Sequence, residues 1–113
     1  MSKINTSDEL LNMSEINREF RQLADKNDWQ VYHTPKNLAA ALAVEAGELL
    51  AEFQWLTPEQ SAQLTDVQKT RVADEMADVL MYMSELAARL DINLAQSVQL
   101  KIEKNKHRFN NHD

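Results

Sequence analysis

Glu45-Ala-Gly-Glu48-Leu-Leu50 is repeated in kind by Glu75-Met-Ala-Asp78-Val-Leu80, and the fold follows from that pair of stretches. Residues i and i+3 of a helix share a face, so each acidic pair points one way. Glu52 extends the first row by a turn, and Tyr82 and Glu85 extend the second. Each row borders an apolar stripe: Leu38, Leu42, Leu49, Phe53 and Leu56 on one helix, Val72, Val79, Met83, Leu86 and Leu90 on the other. Packing the stripes together draws the acidic rows together. Like charges gathered that way repel unless a cation sits between them. The economical reading is a divalent metal site held by Glu45, Glu48, Glu75 and Asp78.

The rest of the chain fits an all-α protein. With Gly 1 and Pro 2 in 113 residues, long helices with few turns are expected. A hydrophobic fraction of 43% suits one globular domain, with a core over about 14–109. Thr6-x-x-Glu9 resembles a capping box. Met13, Ile16, Phe20 and Leu23 place a first helix from about Asp8, or from Ser14, to Asn27. Asp28 to Pro35 is expected to be irregular, since the residue before proline avoids helical angles. A second helix is predicted over Lys36–Trp55, and a short turn over Pro58–Ala62 with Thr57 as its cap. A third helix covers Asp66–Leu90, and Asn93 caps a fourth that runs to about Phe109. The result is a four-helix bundle whose wide apolar faces call for association, a dimer at least.

Composition also excludes functions. Cys 0 rules out disulfides and thiolate metal sites and is compatible with a reducing cytoplasm. No apolar run approaches the roughly 20 residues of a membrane span, and the opening residues lack the apolar core of a signal peptide. A net charge of -6 disfavours polymeric nucleic acid as a partner. It does not disfavour a small phosphate ligand, because a metal reverses the local sign. All-oxygen ligands select Mg2+ or Mn2+. None of His33, His107 or His112 lies three residues after a glutamate, which argues against a di-iron bundle.

Other residues carry two readings each. Charge on an amphipathic helix is usually a solvated face, and Glu52 could be a ligand, a base for water or surface charge. Trp29, His33 and Trp55 sit at or beyond helix ends, where they could plug the core or form a stacking wall for a planar base. Tyr82, one turn past Asp78, could offer its hydroxyl to a phosphate or sugar. Lys101, Asn105 and Arg108 share a face of a basic segment in an acidic chain. They could serve a helix C-terminus or neutralise phosphate.

Together these residues resemble the MazG-like all-α nucleoside triphosphate pyrophosphohydrolases. The matching stretches are His33-Thr-Pro-Lys-Asn37, Val44 to Trp55, Asp74 to Tyr82 and Lys101-x-x-x-Asn105. The usual MazG pattern opens with two adjacent glutamates, whereas Val44 precedes Glu45 here. That departure, with Trp29, His33 and the Phe-Gln-Trp55 ending, resembles the dCTP pyrophosphatase-like branch. The usual closing Tyr-Pro is replaced by Phe109-Asn110. The resemblance implies Mg2+ ligation by Glu45, Glu48, Glu75 and Asp78. It implies nucleotide contacts from His33, Asn37, Trp55, Tyr82, Lys101 and Asn105, in dimers or tetramers whose neighbouring subunits share each pocket.

The expected activity is Mg2+-dependent hydrolysis of a deoxynucleoside triphosphate, dCTP first, to monophosphate and pyrophosphate, as cytoplasmic house-cleaning of the nucleotide pool. Glu48 would orient or deprotonate the attacking water, and Lys101 would hold the triphosphate tail. The rival from another class is a non-catalytic helical assembly module that binds a nucleotide, a metal or a partner helix. It explains the apolar faces equally well, but not two in-phase carboxylate pairs followed by a basic helix.

Overall fold

A computed structural model describes residues 11–110, and among these residues the chain forms five α-helices and one short 3₁₀ turn. They are α1 (Met13–Lys26), the 3₁₀ turn Gln30–Tyr32, α2 (Pro35–Ala51), α3 (Pro58–Ser61), α4 (Asp66–Arg89) and α5 (Leu94–Asn110). No strand occurs among the described residues. The Thr6-x-x-Glu9 motif lies outside them.

Side-chain caps set most of the boundaries. Asn12 accepts a hydrogen bond from the Glu15 amide, so α1 begins at Met13, close to the later of its two expected starts. Thr34 caps α2 with Pro35 just inside it, and Thr57 does the same for α3 with Pro58. Thr57–Gln60 and Thr65–Gln68 form reciprocal capping boxes. Asn93 caps α5 through the Gln96 amide at 3.0 Å.

Two helix ends turn through an aspartate rather than a glycine. Asp28 and Asp91 have φ of 56° and 54°. Each is followed by an amide that reaches back to the helix: Trp29 to the Ala24 carbonyl and Ile92 to the Ala87 carbonyl, both at 2.8 Å. With Asp28 bonded to Asp25 and Asp91 to Ala88, both ends are Schellman motifs.

The expected end of α2 at Trp55 needs correcting. The regular helix stops at Ala51, and the chain tightens into turns closed by bonds to the third residue back: Glu52 to Leu49, Phe53 to Leu50 and Gln54 to Ala51.

The packed centre is the α2–α4 pair, with α1 laid against α4. Ile16, Phe20 and Ala24 of α1 are buried, as is Leu38 of α2. The α1–α4 contact is pinned by Glu85, fully buried, whose carboxylate takes the Arg21 guanidinium at 2.7 Å and Arg89 at 3.3 Å. Glu85 therefore faces α1, although the sequence spacing places it on the acidic row.

The stripes are covered only in part. Leu42, Leu49, Phe53, Leu56, Val72, Val79, Met83 and Leu86 remain half-buried, and Leu90 is exposed. The last helix, α5, makes at most sparse contact with any other element. The radius of gyration is 16.8 Å, against about 13 Å for a compact chain of this length.

Candidate functional site

Contacts along α2 and α4 show that the two helices run antiparallel. Tyr82 meets His33, just ahead of α2, the two carboxylate pairs meet at mid-length, and Glu52 meets Arg71 beyond the end of α2. The cleft therefore has a direction: an aromatic end, an acidic middle and an Arg71 end.

In the middle, Glu45, Glu48 and Glu75 each bring a carboxylate oxygen within 4.8 Å of the other two. Asp78 stands near enough to act on the charge of Glu45 and Glu75 but outside that tightest group. The Glu45 carboxyl is pushed up to about 7, first by burial, then by Glu48, Asp78 and Glu75. Glu75 is raised for the same reasons, with Glu52 adding to the repulsion.

One oxygen each of Glu45 and Glu75 is buried with no hydrogen-bond partner. Buried carboxylate oxygens normally find a donor. Two orphans in a cluster of like charge are what a hard divalent cation would satisfy. Octahedral ligands at about 2.1 Å from Mg2+ stand about 3 to 4 Å apart, so small side-chain rotations suffice. The donor set fits Mg2+ or Mn2+.

At the aromatic end, a cavity of about 460 Å³ is lined by Trp29, Tyr32, His33, Asn37, Leu38 and Tyr82, with Ala40 and Ala41 of α2. Phe20 lies behind this wall. It stacks on His33 with centroids 5.7 Å apart and planes at 5°, and meets Tyr82 edge-on at 5.3 Å. Asn37 donates its amide to the Tyr32 carbonyl at 3.0 Å, tying the 3₁₀ turn to the start of α2. His33 is buried, and its Nδ1 has no partner. Burial and then the negative charge of Glu45, Asp78 and Glu48 raise the Tyr82 phenol, which keeps its proton to donate.

The structure thus brings Trp29, His33, Asn37 and Tyr82 together beside Glu45, Glu48, Glu75 and Asp78. It leaves three sequence candidates apart. Trp55 is 86% exposed, in the turns after α2 at the opposite end of the cleft. Lys101 and Asn105 sit on α5, and no hydrogen bond or ion pair among the described residues joins them to the carboxylates.

Glu52 is held by Arg71, whose Nε donates to Oε2 at 3.1 Å. Sequence reasoning missed Phe20, Tyr32 and Arg71. Phe20 reads as one apolar residue in a stripe and Tyr32 as part of an irregular segment. Arg71 does carry a signal, since it stands one helical turn before Glu75 on the same face.

Comparison with known proteins adds to this geometry. Residues 40–113 match the MazG-like family. The chain is similar to dCTP pyrophosphatase 1 of Bos taurus, 35% identical over 99 residues, which are 86% of this chain and 59% of that protein. It is 36% identical to dCTP pyrophosphatase 1 of Mus musculus over 99 residues, 86% of this chain and 58% of the relative. The chain thus spans somewhat under three fifths of the length of these curated relatives. Among solved structures, a pyrophosphatase from Archaeoglobus fulgidus superposes with a TM-score of 0.79 at 35% identity, covering 95% of this chain and 98% of that one.

Proposed function

Because the chain belongs to the MazG-like family, we propose that it is a nucleoside triphosphate pyrophosphohydrolase, cleaving a deoxynucleoside triphosphate, dCTP first, to the monophosphate and pyrophosphate. The observation that carries this reading is the trio Glu45, Glu48 and Glu75 with its two orphaned oxygens, set beside an aromatic-lined cavity of about 460 Å³. The names of the relatives and of the Archaeoglobus structure support it.

In this reading Glu45, Glu48, Glu75 and Asp78 hold Mg2+ or Mn2+. An ion held there would supply positive charge to offset the charge that builds on the phosphate oxygens in the transition state. Glu48 takes a proton from the attacking water as its oxygen bonds to the α-phosphorus and the bridging oxygen leaves with pyrophosphate. Trp29, His33, Asn37 and Tyr82 hold the nucleoside, with Tyr82 donating its hydroxyl. Lys101, Asn105 and Trp55 reach the nucleotide from a neighbouring subunit. The half-covered stripes and the unpacked α5 support that homo-oligomer. The expected setting is the cytoplasmic nucleotide pool. No helix among the described residues is long and apolar enough to cross a membrane.

The test is chromatography of the products formed from each deoxynucleoside triphosphate with Mg2+. dCMP and pyrophosphate from dCTP would support the assignment. dCDP and orthophosphate would refute α–β cleavage, and no turnover of any nucleotide would retire the enzymatic reading.

A further inference from the structure

We propose that Arg71 is a substrate-binding residue that grips the pyrophosphate end of the nucleotide, releasing Glu52 to do so. The inference rests on the pyrophosphohydrolase reading of the same cleft and goes beyond it in assigning this residue. Along α4, Arg71, Glu75, Asp78 and Tyr82 follow at i, i+4, i+7 and i+11, a single helical face about 16 Å long. A nucleotide with its base in the Tyr82–His33 cavity and its α-phosphate at the carboxylates must send its remaining phosphates toward Arg71.

The side chain is suited to that exchange. It is 54% exposed and paired with Glu52 through its Nε at 3.1 Å. Exposed pairs of this kind are weak, so a polyphosphate competes for the guanidinium at little cost. A guanidinium also matches two phosphate oxygens at once, which an ammonium does not. Glu52, left behind, borders the carboxylate cluster and acts on Glu75.

The experiment is calorimetric titration of the full chain with pyrophosphate, and separately with dCMP, both in Mg2+. It compares wild type, Arg71→Gln and Arg71→Lys, with matched melting temperatures as a check on folding. We expect Arg71→Gln to weaken pyrophosphate binding about tenfold or more, as loss of a charged hydrogen bond does, while dCMP binding stays within about twofold. Lysine should restore part of the loss. Equal weakening for both ligands would make Arg71 a structural residue and overturn the proposal. So would unchanged pyrophosphate binding, or none by the wild type. Turnover of dCTP by the wild type, measured alongside, judges the enzymatic reading separately.

Discussion

At Glu45, burial and the like charges of Glu48, Asp78 and Glu75 act in one direction, and the metal-free carboxyl keeps its proton up to about pH 7 instead of its ordinary 4.5. Between those values the folded chain binds more protons than the unfolded one, so stability falls as pH rises through the window. Glu45→Gln removes the penalty. Without metal, its melting temperature should exceed that of the wild type at pH 8, and the gap should close as pH falls toward 4.5. Mg2+ should raise the wild-type melting temperature and do less for the variant, since an ion that binds only the folded state stabilises it. Scanning calorimetry across pH, with and without Mg2+, checks both. A variant that melts below the wild type at pH 8 would mean that Glu45 is better satisfied than its orphaned oxygen indicates.

Helix α2 is where local preference and site design disagree. Gly47, the one glycine of the chain, sits in mid-helix between two of the acidic residues, and a Cβ there would meet nothing within 4 Å. Gly47→Ala should therefore stabilise the isolated fold by about 1 kcal/mol, measured by denaturant unfolding. A loss of activity alongside that gain would show that a ligand or neighbouring chain comes close to this turn. The helices themselves were largely legible in the residues, because Thr57, Asn93 and the in-phase stripes are local signals. The aspartate-ended Schellman turns were not, since their backbone angle is one that glycine usually announces. Nor was the role of Glu85, whose spacing matches the acidic row. Its burial follows from Arg21 arriving from α1, a contact between residues far apart in sequence. The gathering of Glu45, Glu48 and Glu75 could be foreseen because helical spacing fixes their face. The cavity behind Tyr82 depends on how α1 sets Phe20 against His33, which no local pattern encodes.

The whole molecule is extended for its length, with Leu50, Trp55, Val98, Leu100 and Phe109 all more than half exposed. Apolar surface on that scale is what the proposed contact between copies would cover. Sedimentation at micromolar concentration should give a dimer or larger; a monomer would remove the expected route by which Lys101, Asn105 and Trp55 reach the cleft. A last consequence follows from the antiparallel α2–α4 pair. Each helix turns 100° per residue, so the cleft behaves as two graduated rulers laid edge to edge. One residue added between Asp78 and Tyr82 would swing the tyrosine off the scale. The connection from Ala62 to Thr65 carries no graduation, so the chain can lengthen there and leave every mark aligned. Length variation among related chains should collect in that stretch and be absent from the rulers.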